Sequence, residues 1–297
     1  MSDGFSTDWL ALREPFDRAA RAGAPIHPGL LAGLRQRADG RALQVVALGC
    51  GTGANLREIA PRLGGAQSWR LVDHDAQLLA ALPGALAPWA AAHGLRLEAR
   101  EALLVLQGDD GLRIEITRCL ADLAGGPEAA PLAGADLVTA SALLDLVSAP
   151  WLEALLARCI VEGAAMWWAL NVDHRVDWVP HDPDDEPVLA QFRAHQARDK
   201  GFGPALGAAA AARVADVVRG HGWQVALTPC DWHVDGQRGA RDVAMLRAMV
   251  EGIGDAATEQ APPEWAARIA AWQARRLAQL DGLQLRVGHA DVQAWPN

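Results

Sequence analysis

The chain has no tyrosine and only 4 phenylalanines in 297 residues, against 12 tryptophans. Tryptophan is therefore the main large aromatic filling of any core, and the tryptophans of the second half are also candidates for a pocket wall. Cysteine is scarce: 4 residues, at positions 50, 119, 159 and 230, never in C-x-x-C spacing. That pattern argues against a zinc knuckle or a disulfide framework, and fits reduced thiols in a soluble cytoplasmic protein. No apolar run approaches the length of a membrane span. The start, Met1-Ser2-Asp3-Gly4, lacks the basic and apolar regions of a signal peptide. There is no basic block either. Arg275-Arg276 is the only adjacent basic pair, which reads as a solvated helix face, and the net charge is −9. An acidic chain of this kind is a poor partner for duplex nucleic acid or an anionic membrane. No internal repeat or low-complexity linker is visible. What remains is a small-molecule partner, with the oligomeric state open.

Against these absences stands one dense signal, Val45-Val46-Ala47-Leu48-Gly49-Cys50-Gly51-Thr52-Gly53-Ala54-Asn55. An apolar run meets three alternating glycines, and an amphipathic segment follows at once. This predicts a buried strand, a tight turn and a helix start. Glycine lets the turn bend and leaves no Cβ in the way of a ligand. The free N–H groups of a helix start favour a polar or anionic group nearby. Trp69-Arg70-Leu71-Val72-Asp73 then reads as a second strand, ending in an acid twenty residues past Gly53. In doubly wound sheets such an acid accepts hydrogen bonds from ribose hydroxyls. The dinucleotide fingerprint spaces its glycines G-x-G-x-x-G. Here the order is G-C-G-T-G, with Ala54 at the third position after Gly51, which the looser form of that fingerprint admits.

The rest of the chain alternates strand and helix. Residues 1–40 predict two helices around Pro25 and Pro28. Residues 43–48, 69–73, 112–117, 135–140, 164–172 and 223–228 read as strands, and 103–107 as an inserted edge hairpin strand. Helices are expected over 55–63, over 76–93 with a break near Pro83-Gly84, and over 151–160, 207–221, 239–253 and 262–281. A last strand falls near 283–292. Residues 172–206 carry many Asp, His, Pro and Trp and little periodicity. They read as an insertion.

The glycine turn with Asn55 beyond it resembles the first motif of class I S-adenosylmethionine (SAM) methyltransferases, a likeness running from Val45 to about Asp145. The resemblance implies a doubly wound, mostly parallel α/β sheet of seven strands, with the last strand antiparallel between strands five and six. Residues 1–40 then form an N-terminal helical cap, and 41–297 the SAM-binding domain with insertions at about 172–206 and 235–281. SAM is the implied cofactor. Gly49, Cys50, Gly51, Gly53 and Asn55 would face its methionine part. Asp73 and His74 would meet the ribose, Leu120, Asp122 and Leu123 the adenine, and Ser141 the methyl-transfer channel. The N-P-P-Y-type signature of many amino-methylating enzymes on nucleic acids or protein amides is missing, which points toward a small polar substrate.

A protonated acceptor must lose its proton, so His174, His181 and Asp145 are candidate bases. A surface histidine or a helix cap is the plain alternative for each. His181-Asp182-Pro183-Asp184-Asp185-Glu186 matches no known metal loop, and no metal is expected. Lys200 to Gly207 reads as a hinged lid. Three other readings use the same residues: a non-methylating SAM enzyme (cyclisation or aminopropyl transfer), a non-catalytic SAM-binding subunit, and an NAD-dependent oxidoreductase.

Overall fold

The computed structural model describes residues 6–100 and 103–297. In chain order the helices are α1 (Thr7–Ala22), α2 (Pro28–Ala38), α3 (Ala54–Leu63), α4 (Ala76–Ala92), α5 (Ala149–Glu162), α6 (Asp185–Gln196), α7 (Ala210–Gly220), α8 (Ala240–Gln260) and α9 (Ala266–Leu277). The strands are β1 (Leu43–Leu48), β2 (Ala66–Asp73), β3 (Arg96–Ala99), β4 (Leu103–Gln107), β5 (Arg113–Leu120), β6 (Leu137–Ser141), β7 (Ala165–Val179), β8 (Gln224–Pro229), β9 (Trp232–Asp235) and β10 (Gln284–Trp295).

The strands form one sheet in the order β3-β4-β5-β2-β1-β6-β7-β10-β8, with β9 paired to β10. Five central strands, β5 to β7 in that order, run parallel. β10 lies antiparallel between β7 and β8. The seven strands from β5 to β8 thus take the order expected from the glycine-turn resemblance. The sheet as a whole has ten strands among the described residues rather than seven. The additions are the β3–β4 hairpin on one edge and β9 near the other. β3 went unseen because it has only 4 residues, Arg96 to Ala99, which are mostly exposed.

The parallel strands are apolar throughout because helices cover both faces. On one face Val45, Ala47, Trp69 and Trp167 pack under α2, α3 and α4. On the other, Val46, Leu48, Val138 and Trp168 pack under α5 and α7. Trp167 and Trp168 are adjacent and fully buried on opposite faces, as the two-residue period of a strand requires. α4 runs through Pro83 without the expected break.

The larger departure lies after residue 172. β7 does not stop there but continues to Val179, pairing with the first half of β10 and extending the sheet beyond its parallel part. Trp178, Trp232, Met245, Val250 and Trp272 form a separate third core in this extension, together with α6 and α8. Trp178 and Trp272 meet edge to face at 6.2 Å. The acidic run at 182–185 closes this unit through arginines. Asp182 and Asp184 both accept from Arg275, at 2.7 and 2.6 Å, and Asp184 from Arg268. Buried Asp185 pairs with buried Arg276 and accepts from the Trp272 indole at 2.8 Å. The Arg275 hydrogen bonds hold the Asp182 carboxyl down at about 2. These carboxylates are latches between α6 and α9.

Candidate functional site

The chain leaves β1 for β2 and β5 on one side, then returns to β6 on the other. The strand order therefore reverses between β1 and β6, and ligands of doubly wound sheets bind beyond the carboxyl ends at such a point. The glycine turn sits there. Gly49, Gly51 and Gly53 have φ of 57°, 51° and 80°, a region that disfavours any side chain. The turn is tied to β2: the Cys50 N–H donates to the Val72 carbonyl at 3.0 Å, and the Gly51 N–H to Asp73 Oδ2 at 2.7 Å. α3 begins at Ala54 with no side-chain cap. Its first N–H groups are left for other acceptors.

The sequence-derived residues fall along four adjacent strand ends. Asp73 is buried at the end of β2, its other oxygen accepting from the Asp75 N–H at 3.0 Å, with the exposed His74 ring 3.4 Å away. Part of its acceptor capacity therefore shapes the loop. At the end of β5, Leu120 is one of the few exposed large apolar side chains, at 64%. Leu123 is instead buried in the core under α5. Asp122 accepts from the Ala124 N–H at 2.8 Å, a local turn. Ser141 ends β6 and is followed by Ala142 at φ 51°.

Asn55 borders the same narrow cleft as Ser141. Its amide is buried and used at both ends: Oδ1 accepts from Arg21 Nη1 at 2.9 Å, and Nδ2 donates to the Thr139 hydroxyl at 2.9 Å. That hydroxyl donates to the Trp167 carbonyl at 2.6 Å. Asn55 thus fastens α1 to the sheet beneath the site. The network continues to Asp291 of β10, which pairs with Arg21 at 3.4 Å. Asp291 also accepts from the Trp167 indole, the Leu170 N–H and the Cys230 thiol.

α1 closes the site from above. Glu14 makes a two-oxygen pair with Arg57 of α3, and Leu10 stands 3.3 Å from where a Cβ on Gly51 would lie. The cleft between α1 and the strand ends is bordered by Asp17, Arg21, Ser141 and Leu170 and holds only about 20 Å³. That is room for about one water. Any larger group enters this cleft only as α1 shifts.

The three base candidates separate. His181 is exposed, pairs with Asp185 at 3.4 Å, and belongs to the α6–α9 latch rather than to the strand ends. His174, on β7 at φ 66°, is half buried and accepts weakly from the Ala208 N–H at 3.4 Å. Burial, with Arg193 nearby, pushes its titration down. Asp145 follows β6, is buried, and has one carboxylate oxygen with no partner. Burial raises its carboxyl to about 6, opposed by its own N–H and by the Arg13 charge.

Two neighbours had no role assigned from the sequence. His289 of β10 is buried against Trp232 at 5.1 Å, and its Nδ1–H donates to the Val287 carbonyl at 3.1 Å. Burial and the Arg13 charge depress it to about 4, so it is neutral at physiological pH. Arg13 of α1 pairs with Asp17 at 2.9 Å and lies over the Trp232 ring at 5.2 Å. Only the i, i+4 spacing of Arg13 and Asp17 was visible in the sequence. The partners from β9 and β10 are more than two hundred residues away.

No protein-family model and no curated protein matches the chain. Solved structures similar over nearly its whole length include a cyclopropane-fatty-acyl-phospholipid synthase-like protein from Lactobacillus casei. It is 14% identical, with 98% of this chain and 94% of that one covered, at a TM-score of 0.43. Another is a SAM-dependent methyltransferase from Thiobacillus denitrificans in complex with S-adenosylhomocysteine, 14% identical, with 97% and 98% covered, at a TM-score of 0.38. A third, a SAM-dependent methyltransferase from Geobacter sulfurreducens with the same ligand, is 14% identical, with 95% and 98% covered, at 0.36.

Proposed function

We propose that this chain is a SAM-dependent methyltransferase acting on a small polar molecule. The observation that carries the reading is the left-handed glycine turn of residues 49–53 at the strand-order reversal, hydrogen-bonded through Gly51 to the acid that ends β2. The turn and the free N–H groups of α3 suit the methionine part of the cofactor. Asp73 and His74 suit its ribose, and Leu120 with Asp122 its adenine. Ser141 borders the channel to the acceptor. SAM, when bound, supplies an electrophilic methyl group. The chain's own part is to hold the two reactants in line, exclude water under α1, and accept a proton at the unpartnered Asp145 oxygen. An overall charge of −9 favours a neutral or cationic small molecule over a polyanion.

Gly51→Val tests the cofactor site. The new side chain would sit at φ 51° with its Cβ 3.3 Å from Leu10. We expect affinity for S-adenosylhomocysteine to fall at least tenfold by calorimetry, with the thermal transition kept. Unchanged affinity in the folded variant removes the assignment.

A further inference from the structure

Arg13, Asp17, His289 and two indoles form a group to which the proposed function gives no part, and Asp145 lies within reach of its charge. Arg13 lies 5.2 Å from the centre of the Trp232 ring and 6.0 Å from that of Trp9. Its Nε donates to Asp17 at 2.9 Å, and the same carboxylate accepts from the Trp232 indole N–H at 3.0 Å. Asp145 is close enough to feel the Arg13 charge, and carries a buried oxygen with no donor. His289 closes the group from β10, tilted against the Trp232 ring and held uncharged. Two carboxylates, two indole faces and a neutral imidazole make a surrounding that stabilises one more positive charge. An aromatic face within about 6 Å attracts a cation, more strongly when desolvated. An unpartnered buried carboxylate is costly until a donor reaches it. In this structure the cation in place is the chain's own Arg13 guanidinium.

We propose that this box is the acceptor site, and that the acceptor is a small organic amine whose ammonium form takes the place of the Arg13 guanidinium. The inference rests on the methyltransferase reading and narrows it to methylation at nitrogen. The acceptor arrives as R–NH₃⁺ against Asp17 and the indoles. Asp145 takes one proton, which leaves the lone pair on nitrogen. That pair forms the N–CH₃ bond as the S–CH₃ bond of the sulfonium breaks. The S–C electron pair stays on sulfur, giving the neutral thioether S-adenosylhomocysteine. The product R–NH₂–CH₃⁺ keeps the positive charge, and the proton on Asp145 passes to solvent once α1 shifts. His289, uncharged, adds no competing cation to the box.

The test is calorimetric titration of the full chain with 2-phenylethylammonium and with its neutral counterpart 2-phenylethanol, in the presence and absence of S-adenosylhomocysteine. The ammonium should bind roughly tenfold or more tightly than the alcohol, the size of a desolvated cation–π contact aided by a carboxylate. Arg13→Gln, which removes the internal cation, should strengthen ammonium binding. Asp145→Asn, close in shape, should weaken it and leave the alcohol unaffected. Equal binding of the two probes to the wild type and to Arg13→Gln overturns the inference, as does an ammonium preference untouched by Asp145→Asn. The cofactor titration separates the two levels. S-adenosylhomocysteine binding without an ammonium preference removes the amine box and leaves the methyltransferase reading. An ammonium preference without S-adenosylhomocysteine binding keeps the cation box and removes that reading.

Discussion

Replacing Asp291 with alanine is expected to cost the fold about 3–5 kcal/mol, the usual penalty for breaking a buried ion pair from one side. Asp291 has no exposed surface and Arg21 almost none. The carboxylate accepts from the Trp167 indole, the Leu170 N–H and the Cys230 thiol, and faces the Arg21 guanidinium at 3.4 Å. Without it a guanidinium is left buried, and Arg21 already has two nitrogens without hydrogen-bond partners. Arg21 also lies 5.4 Å over the Trp167 ring and donates to Asn55, so its displacement loosens α1 over the glycine turn. Denaturant unfolding of Asp291→Ala measures the loss. A cost below about 1 kcal/mol would rank the pair with exposed salt bridges. Arg21→Met with Asp291→Leu should recover much of the stability, since matched apolar replacement of a buried pair is often neutral or better.

Asp145→Asn is expected to do the opposite to stability while abolishing turnover. A carboxyl raised by burial from 3.8 to about 6 destabilises the native state at neutral pH. That difference corresponds to about 3 kcal/mol, at 1.36 kcal/mol per pKa unit. The sign follows from linkage. The unfolded chain ionises Asp145 near 3.8, the folded chain only near 6. The penalty is therefore full above about pH 6, and it vanishes as pH falls toward 4. Asparagine carries no charge, so the variant should unfold later than wild type at pH 7.5 and alike at pH 4. Wild-type turnover should rise with pH through about 6 as the base ionises. A residue whose removal stabilises the protein and stops the reaction is kept for chemistry. Asp145→Asn with lowered stability at pH 7.5 would mean that the carboxylate is a structural partner instead.

The parallel half of the fold was legible because its signals are local. Residues 45–55 state strand, turn and helix in one uninterrupted run, and Asp73 ends the next strand at a fixed distance. The continuation of β7 past residue 172 was not. Residues 173–179 begin with three polar side chains and alternate only over 175–178, where Val176 and Trp178 face a core made by α6, α8 and β9. Seven residues with two aspartates, a histidine and an arginine read as loop until β10 is known to lie beside them. The acidic run at 182–185 had no visible partner because its arginines lie near residue 270. Asn55 sits at the position that the glycine-turn motif gives to a cofactor contact. Its buried partners, Arg21 and Thr139, come from thirty-four residues before and eighty-four after. His289 stood in a polar run at the end of the last strand, Gly288 to Asp291, with nothing local to give it a role. Its environment is made by Trp232, by Arg13 and by a register shift in β10.

The most direct measurement is calorimetric titration of the wild-type chain with S-adenosylhomocysteine, with NAD⁺ as the matched control. The cofactor assignment predicts micromolar binding of S-adenosylhomocysteine and none of NAD⁺. No S-adenosylhomocysteine binding by folded protein would contradict it, and heat from NAD⁺ alone would move the glycine turn to the dinucleotide enzymes.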